Sequence, residues 1–298
     1  MSGKLKEVRE RIKSVQSTQQ ITKAMKMVSA SKLRRAQQAI TEMRPFANRL
    51  DKMMQNIVSN LDGDFNSPFL KERQANKIAI VVITSNRGLC GAFNTNIIKE
   101  VILKVDGEYS AQRAAGNISL VFIGKKGYDV LKKKYPDCNL VNTYVDLFAD
   151  LSFDHVSEVS QMLMDKFESG EFDRIDVCYG QFRNAAVQEP KTIQFLPISK
   201  NEVSKELTGR SKADYIFEPD KEALLNELIP TILQTSFQKF VLDNHASEHG
   251  ARMTAMDNAT TNAEELLKEL KINYNKARQE AITKELSEIV GGAAALNG

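Results

Sequence analysis

The carboxy-terminal stretch from Lys221 to Val290 carries the period of one uninterrupted helix, and this constrains the fold more than any other feature of the sequence. Apolar or small residues recur at Met256, Ala259, Ala263, Leu266, Leu270, Tyr274, Ala277 and Ala281, the three-four spacing of a helix packed along one seam. Helices of globular domains seldom exceed about 25 residues, so a second element must lie along this one. The amino-terminal end supplies it. Leu33, Ala36, Ile40, Met43, Ala47, Leu50, Met54 and Ile57 form an unbroken heptad stripe, with Pro45 inside it. Upstream, Leu5, Val8, Ile12 and Val15 make one block, and Ile21, Met25 and Val28 a second, displaced block. The displacement predicts that the seam rotates around the helix and changes its winding. Two striped helices at opposite ends of a chain pair most simply antiparallel; fifty-odd residues would make a rod on the order of 80 Å long. A bundle with a third helix is the other arrangement such stripes permit.

Between the helices the pattern changes. After the turn-rich Asn60–Pro68 stretch, Ile78–Ile83 is a continuous β-branched run, the signature of a strand covered on both faces. Further strands are predicted at Ile118–Ile123, Asn139–Val145 and Arg174–Phe182, with an antiparallel edge strand at Thr192–Leu196. Helices are predicted from Asn94 to Val105, before Pro136, and from Val156 to Glu168. A polar stretch, Ser199–Asp220, leads back to the long helix. The predicted fold class is α/β plus a long helical coiled coil. Residues 1–60 and 215–298 pair as an antiparallel coil around an inserted, Rossmann-like, mainly parallel domain at 76–200.

The 298-residue chain has no run of eighteen apolar residues and no apolar segment after its first charges, so no membrane span or secretory leader is expected. Cys90, Cys138 and Cys178 are scattered and odd in number, which predicts reduced thiols. Through residue 60, thirteen basic residues stand against four acidic ones. That excess suits an acidic partner: nucleic acid, anionic lipid or an acidic protein surface. The absence of Trp leaves no aromatic set suited to stacking bases.

The chemical motifs are weak. Arg87-Gly-Leu-Cys-Gly91 follows a strand and opens a helix, where an anion could bind, yet it matches neither glycine-rich nucleotide signature. His245-Ala-Ser-Glu-His249 spells an inverted zinc-protease motif, but lacks a third ligand and is expected to be two exposed histidines on a helix. Ser29-Ala-Ser-Lys32 lacks its companion signatures. No acid pair, triad or metal cluster emerges, so the sequence reads as an interaction protein with no cofactor.

Three separated stretches resemble the gamma subunit of F-type ATP synthases: Arg11–Arg34, Thr84–Asn94 and Leu270–Leu296, the last containing Tyr274-Asn-Lys-Ala-Arg-Gln-Glu-Ala-Ile-Thr-Lys-Glu-Leu. The central loop departs from that family's pattern at Asn86, where an Asp is common, and at Ala92 and Phe93. The resemblance implies a non-catalytic central-stalk rotor, one copy per complex, turning inside a ring of alpha and beta subunits. Its other implied partners are the epsilon subunit and the membrane c-ring, with no nucleic acid. Carried over residue by residue, Lys23, Met25, Lys26, Arg87, Arg252, Gln279, Thr283 and Glu285 would contact the alpha/beta ring. Phe46, Tyr215 and Glu218 would meet the membrane ring, and the Gly291–Gly298 tip would serve as an apolar bearing. No thiol-regulatory insertion is present, and without a transit peptide a bacterial origin is expected, at the cytoplasmic face of the inner membrane.

Overall fold

The computed structural model describes residues 2–59, 67–71, 73–198 and 221–296. The chain forms two compact units: Met1–Ser29 with Met253–Gly298, and Ala30–Arg252. Helix α1 runs Ser2–Ser59 through Pro45. The carboxy-terminal helix, α6, runs Lys221–Leu296 through Pro230. Residues 60–66 of the predicted Asn60–Pro68 loop and the polar stretch at 199–220 lie outside the described residues.

In the first unit the two helices form an antiparallel coiled coil. Side-chain pairs join Arg9 to Tyr274, Gln19 to Glu264, Thr22 to Thr260 and Lys26 to Asp257, so residue numbers rise on α1 as they fall on α6. The α1 seam keeps strict three-four steps through Leu5, Val8, Ile12, Val15, Gln19, Thr22, Lys26 and Ser29, all at least half-buried. This corrects the expected displacement. Ile21 and Val28 are 58% and 59% exposed and do not enter the seam. The heptad continues unbroken because polar residues take its central positions, and Gln19, Thr22 and Lys26 find polar partners across the coil. A polar group facing a hydrogen-bond partner is tolerated in a seam; an unpaired one is not. On α6 the buried positions are Met256, Ala263, Leu267 and Leu270, with Leu267 taking the place expected of Leu266.

The second unit holds a five-stranded sheet. Strands β1 (Ile78–Ile83), β2 (Ile118–Ile123), β3 (Asn139–Val141), β4 (Arg174–Phe182) and β5 (Gln188–Leu196) lie in the order β3-β2-β1-β4-β5. Among the described strands β5 alone is antiparallel. Helices α2 (Phe93–Leu103), α3 (Ser110–Ala114), α4 (Lys125–Lys134) and α5 (Phe153–Glu168) complete the layers. Alternate residues of β1 serve opposite cores, which is why its run is apolar throughout. Ala79, Val81 and Ile83 join Val159, Leu163 and Phe167 of α5 and Phe237 and Val241 of α6. Ile78, Ile80 and Val82 join Ile97 and Val101 of α2 and Leu131 of α4.

β3 is shorter than predicted because the chain turns after Val141, where the Val145 carbonyl accepts from Gly124 N at 3.1 Å. β5 is longer, reaching back through Pro190, which an edge strand accommodates. Its hairpin is closed by the Asn184 side chain, which accepts from Ala186 N and Val187 N at 2.9 and 2.8 Å. A fully buried carboxylate, Asp176 on β4, is held by the Tyr109 hydroxyl at 2.5 Å and Arg174 Nε at 3.0 Å. These bonds tie the turn after α2 to the sheet.

Candidate interaction surfaces

The loop between β1 and α2 is fixed by a network of side-chain hydrogen bonds. At its root, Thr84 Oγ1 accepts from Gly127 N at 2.9 Å and donates to the Gly124 carbonyl at 3.3 Å. Asn94, in the first turn of α2, accepts from Ser85 N at 2.9 Å and donates to Ser85 Oγ at 2.8 Å. Asn86 Oδ1 accepts from Lys125 N at 3.1 Å, an acceptor role that an aspartate could also fill. Leu89 sits at φ 63°, a left-handed conformation costly for a leucine, and its side chain is exposed. Gly91, at φ 59°, takes the same region without a Cβ penalty.

Arg252 holds this loop from α6. One guanidinium nitrogen, Nη2, donates to the carbonyls of Arg87 and Gly88 at 3.0 and 3.4 Å. The other, Nη1, donates to Glu248 Oε1 at 2.6 Å and lies 3.3 Å from His249 Nδ1. Arg252 and Glu248 are both buried. With the loop carbonyls drawn inward, the side chains of Arg87 and Leu89 face solvent. Arg252 is thus engaged within the fold, whereas Arg87 is presented at the surface.

The histidines correct a second expectation. His249 is buried and His245 half-buried, neither being an exposed helical residue. Their rings meet edge to face at 4.5 Å, and Phe148 stacks on His245 at 5.7 Å. The motif is buried because α6 packs here against the sheet layers, which a coiled-coil period along the whole helix does not signal. Among the described residues no cluster suited to a metal is present. Burial holds His245 down to about 4 and His249 to about 3, with Lys32 and Arg252 adding repulsion in both cases. Both folded values lie below the unfolded value of about 6.5, so acid binds preferentially to the unfolded chain. Stability therefore falls as pH drops below about 6.5, by up to roughly 1.4 kcal/mol per pH unit for each histidine. Burial raises the Glu248 carboxyl, which opposes this trend. Melting curves between pH 7.5 and 5 are expected to show the loss, and a His245→Gln, His249→Gln double variant a flatter profile.

In the coiled-coil unit, the residues excluded from the seam form a surface. Ile21, Met27 and Val28 are exposed and Met25 is half-buried, giving an apolar stripe at Ile21, Met25 and Val28. Lys23 is exposed beside it, while Lys26 is paired with Asp257 at 2.6 Å. Gln279, Thr283 and Glu285 are exposed on α6, near the level where α1 begins. Around and beyond them Ile282, Leu286, Ile289 and Val290 form a second exposed apolar face. Phe46 is exposed on α1; Tyr215 and Glu218 lie outside the described residues.

A coiled coil built from both chain ends, with a sheet domain inserted between them, matches known proteins over nearly its full length. The ATP synthase family pattern matches residues 4–296. The ATP synthase gamma chain of Flavobacterium psychrophilum is 53% identical over 99% of both chains. The chain belongs to the ATP synthase gamma-chain family. The gamma chains of Cytophaga hutchinsonii, at 50% identity over 98% of this chain and 99% of that one, and Chlorobium chlorochromatii, at 43% over 99% of each, agree. Among solved structures, a chain of the Euglena gracilis mitochondrial ATP synthase shares the fold, with a TM-score of 0.68 and 24% identity over 99% of this chain and 95% of that one. The central-stalk and c-ring structure of the Tetrahymena thermophila mitochondrial ATP synthase contains another similar chain. It has a TM-score of 0.56 and 25% identity, over 80% of this chain and 99% of that one. By that membership the chain is the gamma subunit of an ATP synthase. No helix among its described residues is long and apolar enough to cross a membrane.

Proposed function

We propose that the chain is a non-catalytic shaft, present in one copy per complex. Rotation of this shaft conveys the motion of a membrane c-ring to alpha and beta subunits at the cytoplasmic face of a bacterial inner membrane. The supporting observation is the coiled coil's asymmetry. One side carries Ile21, Met25 and Val28 beside Lys23, while Gln19, Thr22, Lys26 and Ser29 are turned toward the seam. A shaft whose sides differ can bias otherwise identical sites toward different nucleotide affinities, and equal contact with every state would shift nothing. Met25 and Lys23 would meet an acidic segment of the beta subunits, and Lys26, paired with Asp257, would act by holding the coil beneath them. Gln279, Thr283 and Glu285 would act along the other helix, with the exposed apolar end of α6 as a bearing. Arg87 would approach the ring from its loop, and Arg252 would act through that loop by holding its carbonyls. Phe46, Tyr215 and Glu218 remain the proposed contacts to the membrane ring, and the epsilon subunit a further partner.

A lysine at Met25 tests this reading, because the side chain is half-buried beside the seam and the change is compatible with folding. In reconstituted vesicles Met25→Lys is expected to retain ATP hydrolysis while proton pumping per ATP falls severalfold. Pumping at the unmodified ratio would count against the proposed contact.

A further inference from the structure

Four successive seam positions of α1, Gln19, Thr22, Lys26 and Ser29, are polar, while apolar neighbours stay outside. Coiled coils use a polar seam residue to specify register, at a cost in stability. The cross-helix pairs differ in how much register information they hold. If the helices slid by one heptad, Gln19 would meet Asp257 in one direction, and Lys26 would meet Glu264 in the other. Each displaced arrangement thus offers one of these two long, half-buried side chains a polar partner. Thr22 does not. It is 8% exposed and shares a 2.8 Å hydrogen bond with Thr260. Displaced one heptad, its hydroxyl would face Met253 or Leu267 and lose that cross-helix partner, keeping only the Gln19 carbonyl of its own helix at 3.0 Å.

We infer that the Thr22–Thr260 hydrogen bond is the register lock of the coiled coil. The two threonines are positioning residues: they fix which levels of α1 and α6 face one another. A one-heptad slip would carry the Ile21–Val28 stripe about 10 Å along α6. The lock opposes that slip when the coil is loaded.

Paired cysteines in the full chain, assembled in its complex, read the register directly. Val15→Cys with Leu267→Cys reports the native level, which lies between the Arg9–Tyr274 and Gln19–Glu264 pairs. Val15→Cys with Tyr274→Cys reports a one-heptad slip. The native cysteines are buried and leave these products distinct. Introducing Thr22→Val with Thr260→Val is expected to raise the slipped disulfide about tenfold, the scale of one lost hydrogen-bonded preference. The melting temperature should be unchanged or higher, because apolar surface replaces polar. Thr22→Ser with Thr260→Ser keeps both hydroxyls and should restore the native product alone. A valine pair that gives only the native disulfide, like the unmodified threonines, would overturn the lock. Proton pumping per ATP, which rests on the rotor reading, should fall in the valine pair and recover in the serine pair. A shifted cross-link with unchanged pumping would sustain the lock and count against the rotor reading.

Discussion

Replacing Arg252 with methionine is expected to lower the melting temperature of the full chain by roughly 10 °C, the equivalent of about 3–5 kcal/mol. The guanidinium holds four acceptors at once: a Glu248 carboxylate oxygen, His249 Nδ1 and the carbonyls of Arg87 and Gly88. Methionine fills similar volume but donates nothing, leaving Glu248 buried without a cation. Removing one partner of a buried pair costs far more than the pair contributes, because the remaining charge cannot recover its water. Glu248 escapes part of that penalty by taking up a proton. Burial already pushes its carboxyl upward, and loss of Arg252 raises it further. A raised folded value means stability retained at low pH and lost as pH rises, so the deficit should be larger at pH 8 than at pH 5. A Glu248→Met, Arg252→Met double variant should recover most of the loss. Equal destabilisation in the single and double variants would show that the ion pair is not the source.

Gly124→Ala should be nearly as damaging, at roughly 4 kcal/mol, combining overpacking with backbone strain. Gly124 lies at φ 94°, and an added Cβ would stand 2.0 Å from the Thr84 carbonyl oxygen. Neither side can yield cheaply. Gly124 N is bonded to the Val145 carbonyl, and Thr84 N to that of Ile123. The loop that presents Arg87 and Leu89 starts from this close approach, so its geometry should degrade together with stability. Gly116→Ala separates the two causes, since Gly116 has φ 72° but a Cβ added there would meet nothing within 4 Å. It should cost about 1 kcal/mol, from backbone strain alone. Similar melting losses for both variants would rule out the steric account.

Much of this architecture is legible in the sequence because periodicity records burial. The β1 run Ile78–Ile83 and, in the amino-terminal stripe, Leu33, Ala36, Ile40, Ala47 and Leu50 are buried as their patterns require. The seam between Val15 and Leu33 is hidden for an equally physical reason. Following apolar residues alone leads to Ile21, Met25 and Val28, whereas counting three-four steps leads through Gln19, Thr22, Lys26 and Ser29 to Leu33. Polar seam positions are invisible to an apolar pattern, because their stability depends on partners over two hundred residues away in the chain. The burial of His249 is hidden similarly, since it depends, like that of Glu248 and Arg252, on a loop from another part of the fold. Arg87 and Leu89 lie in a loop whose resemblance is plain, but its outward display depends on the inward-facing carbonyls. The exposed apolar residues of α1 and α6 acquire meaning only once the seam is located.

The most direct measurement is rotation itself. The chain, carrying a probe on a surface cysteine in its second unit, would be reconstituted with alpha and beta subunits and given ATP. One copy entering each complex and turning in a single direction during hydrolysis is the predicted result. Sustained hydrolysis with the probe stationary, or a chain that stays apart from the alpha and beta subunits, would contradict the rotor account.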